Sequence, residues 1–153
     1  MWECVTYTPR YASMTNLKAR RSIEEIREGL SPLFYDEGLR LVLLFGSAVS
    51  GKIHNKNDID LAVLFDKPVD ILALTNRVVR FLHTDQVDVV DLKRTSPLLR
   101  YVSVRHGKLL YERESGMFHE FYSLAFRRYV DTKKLRDAQA QSIQQFLLSG
   151  GLM

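Results

Sequence analysis

Two stretches decide the fold: LRLVLLFGS at residues 39–47 and DIDLAVLF at residues 58–65. In the first, residues 39–45 are apolar except for Arg40, and Gly46-Ser47 ends the run abruptly. A run this short and this continuous suits a strand buried on both faces better than an amphipathic helix. Residues 59–65 form a second such run, stopped by Asp66-Lys67-Pro68. The polar loop at residues 51–57 leaves little room for a crossover. The pattern therefore predicts a direct, antiparallel connection between the two strands.

Working outward, residues 16 to 34 predict a helix, with Leu17, Ile23, Ile26, Leu30 and Leu33 at helical spacing and charged residues between them. Ile71, Leu74, Val78, Phe81 and Leu82 predict a second helix over residues 69–83. Val87, Val89 and Val90 mark a third strand over residues 86–92. Ser96-Pro97 has the chemistry of a helix start, with serine capping and proline in the first turn. That helix runs to residue 105 and closes at His106-Gly107. Residues 108–111 predict a short edge strand, and residues 115–148 one or two helices, with Phe118, Phe121, Tyr122, Ala125 and Tyr129 on one stripe. The expected class is α/β (α+β): a small mixed sheet covered by helices, with a long C-terminal helical segment.

The chain has 153 residues with 46% apolar and 26% charged side chains, which is ordinary for one globular domain. Three parts are expected: an N-terminal extension at 1–14, a core at 15–113 and a C-terminal helical segment at 114–153. Residues 143–148 of that segment, IQQFLL, are apolar enough to suggest docking on a partner. One cysteine, Cys4, excludes an internal disulfide and agrees with a reducing compartment. The opening residues lack the pattern of a secretory signal, and no apolar run has the length of a membrane span. A cytoplasmic location is expected. Net charge is +4, a mild basic excess that suits a solvated surface and is compatible with polyanion binding.

The chemistry concentrates between the first two strands. Asp58 and Asp60 are two apart at a strand start, so both carboxylates project to one face. Close carboxylates repel unless a cation lies between them. Hard divalent cations such as Mg²⁺ favour such oxygen ligands. Gly46 lets backbone approach a phosphate, and Ser47 offers a hydroxyl and an N–H. Each feature alone is common. Together, with ten residues between Ser47 and Asp58, they form a phosphate-and-metal pattern. Asp88 and Asp91 both stand in the third strand, three apart and on opposite faces, so only one can join this pair.

This pattern resembles the nucleotidyltransferase superfamily that includes DNA polymerase beta. It is most similar to the minimal nucleotidyltransferase (MNT) antitoxins that pair with HEPN toxins. The resemblance extends through VDVVDL (87–92), SPLLRYVSVRHGKLLYE (96–112) and FRRYVDTKKLRD (126–137), and covers about residues 20–140. It implies Asp88 as the third carboxylate. Asp58, Asp60 and Asp88 would then be catalytic and hold two Mg²⁺ ions, with Asp88 as general base, while Gly46, Ser47 and Lys52 would bind the nucleotide phosphates. The implied reaction is transfer of AMP from ATP to a tyrosine hydroxyl of a HEPN toxin in a hetero-oligomer, with no direct nucleic-acid contact and no membrane. A toxin neutralised by binding alone and an aminoglycoside-type small-molecule transferase are the alternatives. One departure stands out: many family members carry Arg before the glycine, where this chain has Ser50, and Lys52 is the basic group at hand.

The remaining residues have plainer readings. Arg77, Arg80, Arg100 and Arg105 read as solvated helix faces, with a basic rim as the functional alternative. His54 reads as exposed, and His83, His106 and His119 have no metal-binding spacing.

Overall fold

The computed structural model describes residues 21–46 and 59–151. Residues 1–20, which include Cys4, and Ser47, Lys52, His54 and Asp58 lie outside the described residues.

Helix α1 (Ile23–Gly29) starts at a reciprocal cap. The Ser22 hydroxyl accepts from Glu25 N at 3.1 Å, and the Glu25 carboxylate accepts from Ser22 N at 3.0 Å. The helix stops sooner than its apolar spacing predicts. Ser31–Tyr35 forms a separate 3₁₀ turn with proline in its first positions, because Pro32 has no N–H to continue the ladder. Strands β1 (Leu39–Phe45) and β2 (Ile59–Phe65) fall where the apolar runs predict them. Helix α2 (Ile71–Leu82), capped by the Asp70 side chain, carries the chain over to β3 (Val87–Asp91). Helix α3 (Pro97–His106) begins at the Ser96 cap and leads through Gly107 into β4 (Lys108–Glu112). Helices α4 (Met117–Asp131) and α5 (Lys133–Leu148) meet at Thr132, whose hydroxyl donates back to Arg128 O at 2.7 Å.

The sheet order is β3-β2-β1-β4. β1 pairs antiparallel with β2, as expected, and also with β4, while β2 and β3 are parallel, so the sheet is mixed. Both faces are covered. Leu61 and Val63 face a core shared with Ile26, Leu30, Leu33, Leu74, Val78 and Leu82. Their neighbours Ala62 and Leu64 face a second core with Tyr101, Val104, Met117 and Ala125. This double burial is why β2 reads as an unbroken apolar run, and each fully buried leucine or valine contributes about 1.5–3 kcal/mol. Arg40 breaks the β1 run because it lies 3.6 Å from Asp66, which Arg113 also binds at 2.6 Å.

The pairing sets one end of the sheet apart. The end of β1 and the starts of β2, β3 and β4 lie together there, with Phe45 opposite Asp60, Asp60 opposite Asp88 and Leu44 opposite Lys108. α3 also ends there, since it leads directly into Lys108. No helix among the described residues is long and apolar enough to cross a membrane.

Candidate functional site

Asp60 and Asp88 are register partners on adjacent parallel strands. Register partners share a face, and neighbouring strands lie about 4.8 Å apart, so the two carboxylates emerge side by side. The alternation along β2 puts Asp60 on the side of Ala62 and Leu64, the face covered by α3 and α4. Asp60 is half-buried and Asp88 exposed.

Gly46 closes this corner. It leaves β1 with φ +77°, a backbone conformation that favours glycine. A Cβ on Gly46 would sit 2.0 Å from the Asp60 carboxylate oxygen Oδ2 and 3.0 Å from its Cγ. The bare glycine backbone is therefore what admits the Asp60 carboxylate at the end of β1. Of the six residues expected to bind or react, Gly46, Asp60 and Asp88 come together; Ser47, Lys52 and Asp58 lie outside the described residues.

Asp91 is separated from this pair. It stands opposite Val63 at the far end of β3, is 6% exposed and accepts a hydrogen bond from Lys93 N at 2.9 Å. Its carboxylate shapes the turn after the strand.

The arginines divide by position. Arg100 is not on a solvated face: it is 9% exposed. Its Nε donates to Leu92 O at 2.8 Å and its Nη2 to Lys93 O at 3.0 Å, bracing the turn that follows β3. Burial lowers the pKa of its guanidinium, with Arg128 nearby acting in the same direction. Arg100 shares a stripe with Tyr101 and Val104, the spacing by which the sequence could have shown it inward. Arg77 pairs with Asp36 at 2.9 Å on α2, which packs on the opposite face of the sheet from Asp60. Arg105 is exposed in the last turn of α3, the helix on the carboxylate side of the sheet. Its Nη1 donates to the Tyr101 hydroxyl at 2.8 Å, which raises the pKa of its guanidinium.

The donor set suits a hard cation: two adjacent carboxylates, one of them seated where a side chain at position 46 would stand. Among the described residues, no group of three or more His, Cys, Asp or Glu could hold a metal by itself.

Residues 28–116, more than half of the chain, match the family described as Polymerase beta, Nucleotidyltransferase. The chain belongs to this family. Among curated relatives of this nucleotidyltransferase, it is similar to protein adenylyltransferase MntA of Aphanizomenon flos-aquae, 28% identical over 144 residues, covering 86% of this chain and 96% of that one. It is also similar to protein adenylyltransferase MntA of Shewanella oneidensis, 34% identical over 101 residues, covering 64% of this chain and 68% of that one. Among solved structures, a toxin–antitoxin with AMP-PNP superposes with a TM-score of 0.68 at 27% identity, covering 81% of this chain and 99% of that one. A complex of tri-AMPylated Shewanella oneidensis HEPN toxin with MNT antitoxin superposes with a TM-score of 0.66 at 25% identity, covering 80% of this chain and 99% of that one.

Proposed function

We propose that this nucleotidyltransferase is a Mg²⁺-dependent protein adenylyltransferase of the cytoplasm. In this reading it transfers AMP from ATP to a tyrosine hydroxyl of a cognate HEPN toxin and so silences it. The observation that carries the proposal is the pairing of Asp60 with Asp88 on one face, with Gly46 giving room to the Asp60 carboxylate. The relatives described above, which are named protein adenylyltransferases, support the choice of donor and acceptor.

In the reaction, the acceptor oxygen forms a bond to the α-phosphorus, the bond from that phosphorus to the bridging oxygen of the β-phosphate breaks, and pyrophosphate leaves. Asp58, Asp60 and Asp88 are the residues that would hold Mg²⁺. When bound, the metal supplies positive charge against the phosphates and acidifies the acceptor hydroxyl. The chain's own groups do the rest. Asp88, exposed beside Asp60, is open to a macromolecular acceptor and takes the hydroxyl proton on its carboxylate. Gly46 and Ser47 would bind phosphate oxygens, and Lys52 would add the positive charge that Ser50 lacks.

Labelled ATP, Mg²⁺ and a cognate HEPN toxin test the proposal. Label is expected on the toxin with the wild-type chain and absent with Asp58→Ala/Asp60→Ala. Full silencing of the toxin by that double variant without label would replace catalysis with binding. Label on a small alcohol or antibiotic, and none on protein, would replace the acceptor.

A further inference from the structure

The two edges of the sheet differ. β4 and β3 are the outer strands, and each is five residues long. On β4, Arg27 reaches over from α1 and donates from Nη2 to Leu109 O at 3.1 Å and from Nε to Leu110 O at 3.2 Å. The chain itself covers that edge. β3 has no such cover among the described residues. Its pairing with β2 runs from the bond of Ile59 N to Gln86 O to the bond of Leu92 N to Val63 O, both 2.9 Å. Successive residues of a strand turn their main-chain groups to opposite edges. Gln86, Asp88, Val90 and Leu92 therefore turn theirs toward β2, and Val87 and Val89 turn theirs outward. Among the described residues, no hydrogen bond reaches that outward row. Length does not explain the difference, since the two strands are equal.

The face beside this edge is open as well. Val87 and Val89 send their side chains into the core shared with α1 and α2, so Asp88 and Val90 project on the other face. There the core under α3 and α4 takes in Leu41, Leu43, Ala62 and Leu64 of the two central strands. Asp88 is exposed, and Val90 is half-buried and belongs to neither core. One edge thus combines an unpaired main-chain row, an uncovered apolar side chain and a carboxylate of the site.

An open strand edge takes up an extended segment through main-chain hydrogen bonds. A segment added outside β3 would lie about 4.8 Å from it, and its residue level with Asp88 would project on the same face. The residue two positions away would lie over Val90. A second copy fits poorly, because it would set its own acidic VDVVD strand against this one, and like charges across strands repel. We infer that the open edge of β3 is the acceptor dock: a segment of the HEPN toxin adds there as a fifth strand, bonds to the main chain of Val87 and Val89, and presents its tyrosine to Asp88. This rests on the proposed function and deepens it. The dock contributes orientation of the acceptor hydroxyl.

The test uses the full chain and the toxin. Amide exchange is read residue by residue by NMR, on the free chain and then with toxin added without ATP. In the free chain, the amides of Val87 and Val89 are expected to exchange faster than those of Asp88 and Val90, which face β2. With toxin they are expected to slow by about 10-fold or more. Val87→Pro removes an outward N–H at the first residue of the strand, where proline is tolerated, and costs no bond to β2. It is expected to raise KM for the toxin about 5- to 10-fold, the worth of one main-chain bond, with ATP binding unchanged. Val87→Ile keeps the N–H and should keep the wild-type KM. If Val87→Pro does not fold, the exchange pattern of the wild type decides alone. A bound and labelled toxin that leaves Val87 and Val89 fast would overturn the dock while leaving the reaction standing. Slowing at both amides, with no label transferred once ATP and Mg²⁺ are added, would overturn the reaction while leaving the dock standing. A toxin that does not bind would overturn both. Amides already slow in the free chain would also overturn the dock: they assign the edge to a second copy if dilution speeds them, and to residues 1–20 if removing those residues does.

Discussion

Replacing Gly46 by alanine probes the site with a single methyl group. The added Cβ would meet Asp60 Oδ2 at 2.0 Å, Asp60 Cγ at 3.0 Å and Asp60 Cβ at 3.3 Å. An oxygen cannot approach carbon closer than about 3.2 Å without strain, so the carboxylate must swing away by more than about 1 Å. Displacements of that size at reacting groups cost about 100-fold in rate. The backbone adds its own penalty: φ +77° costs an L-residue about 1–2 kcal/mol. For a chain of this size, that is a fall in Tm of about 2–8 °C. Gly116→Ala separates the two effects, because Gly116 also has a positive φ, +90°, but a Cβ there meets nothing within 4 Å. AMP transfer to the toxin and thermal melting are measured for both. Gly46→Ala should lose both stability and about 100-fold in rate, and Gly116→Ala stability alone. If Gly46→Ala keeps its rate within 2-fold, or if both variants lose rate equally, the claim that Gly46 seats the Asp60 carboxylate is refuted.

Other consequences can be measured on the same protein. Asp88→Asn removes one of two neighbouring like charges, so metal-free Tm should hold or rise slightly, while the stabilisation that Mg²⁺ gives the wild type in a thermal-shift titration should disappear. Arg100→Met should lower stability by about 2–4 kcal/mol in urea unfolding, because the carbonyls of Leu92 and Lys93 lose their donor in a dry site; a loss below about 0.5 kcal/mol would contradict that role. Arg113 donates to Asp66 and holds its carboxyl below the ordinary value of 3.8. A carboxylate depressed on folding stabilises above its unfolded pKa, and that contribution is lost as pH falls through the folded value. Asp66→Asn should therefore be less stable than wild type at neutral pH, and the gap should close in acid; a pH-independent gap would argue against the ion pair.

The strands were legible because each is short, continuous and buried on both faces: residues 39–45 and 59–65 match β1 and β2. The end of α1 was not, since Leu30 and Leu33 keep helical spacing across Ser31-Pro32 and so conceal the break in the backbone. The same ambiguity left open whether residues 115–148 hold one helix or two, which Thr132 decides by bonding back to Arg128 O. At the site, spacing alone left Asp88 and Asp91 as alternatives. The parallel register puts Asp88 beside Asp60 and Asp91 beside Val63, a fact of long-range pairing that no local pattern carries. Arg100 was misread because an arginine on a helix is usually solvated, whereas here backbone carbonyls of a turn five to eight residues earlier in the chain surround it. Nor could composition show that Gly46 lies against Asp60 rather than merely ending a strand.

The central claim is that Asp60 and Asp88 together carry out AMP transfer to the toxin. Intact-mass spectrometry of the HEPN toxin after incubation with ATP and Mg²⁺ tests it most directly, with the wild-type chain, Asp60→Asn and Asp88→Asn each supplied at equal concentration. The account predicts AMP adducts on toxin tyrosine with the wild type and at least 1000-fold slower formation with either variant, each of which still binds the toxin. Adducts at wild-type rates with either variant, or a silenced toxin of unmodified mass with the wild type, would contradict it.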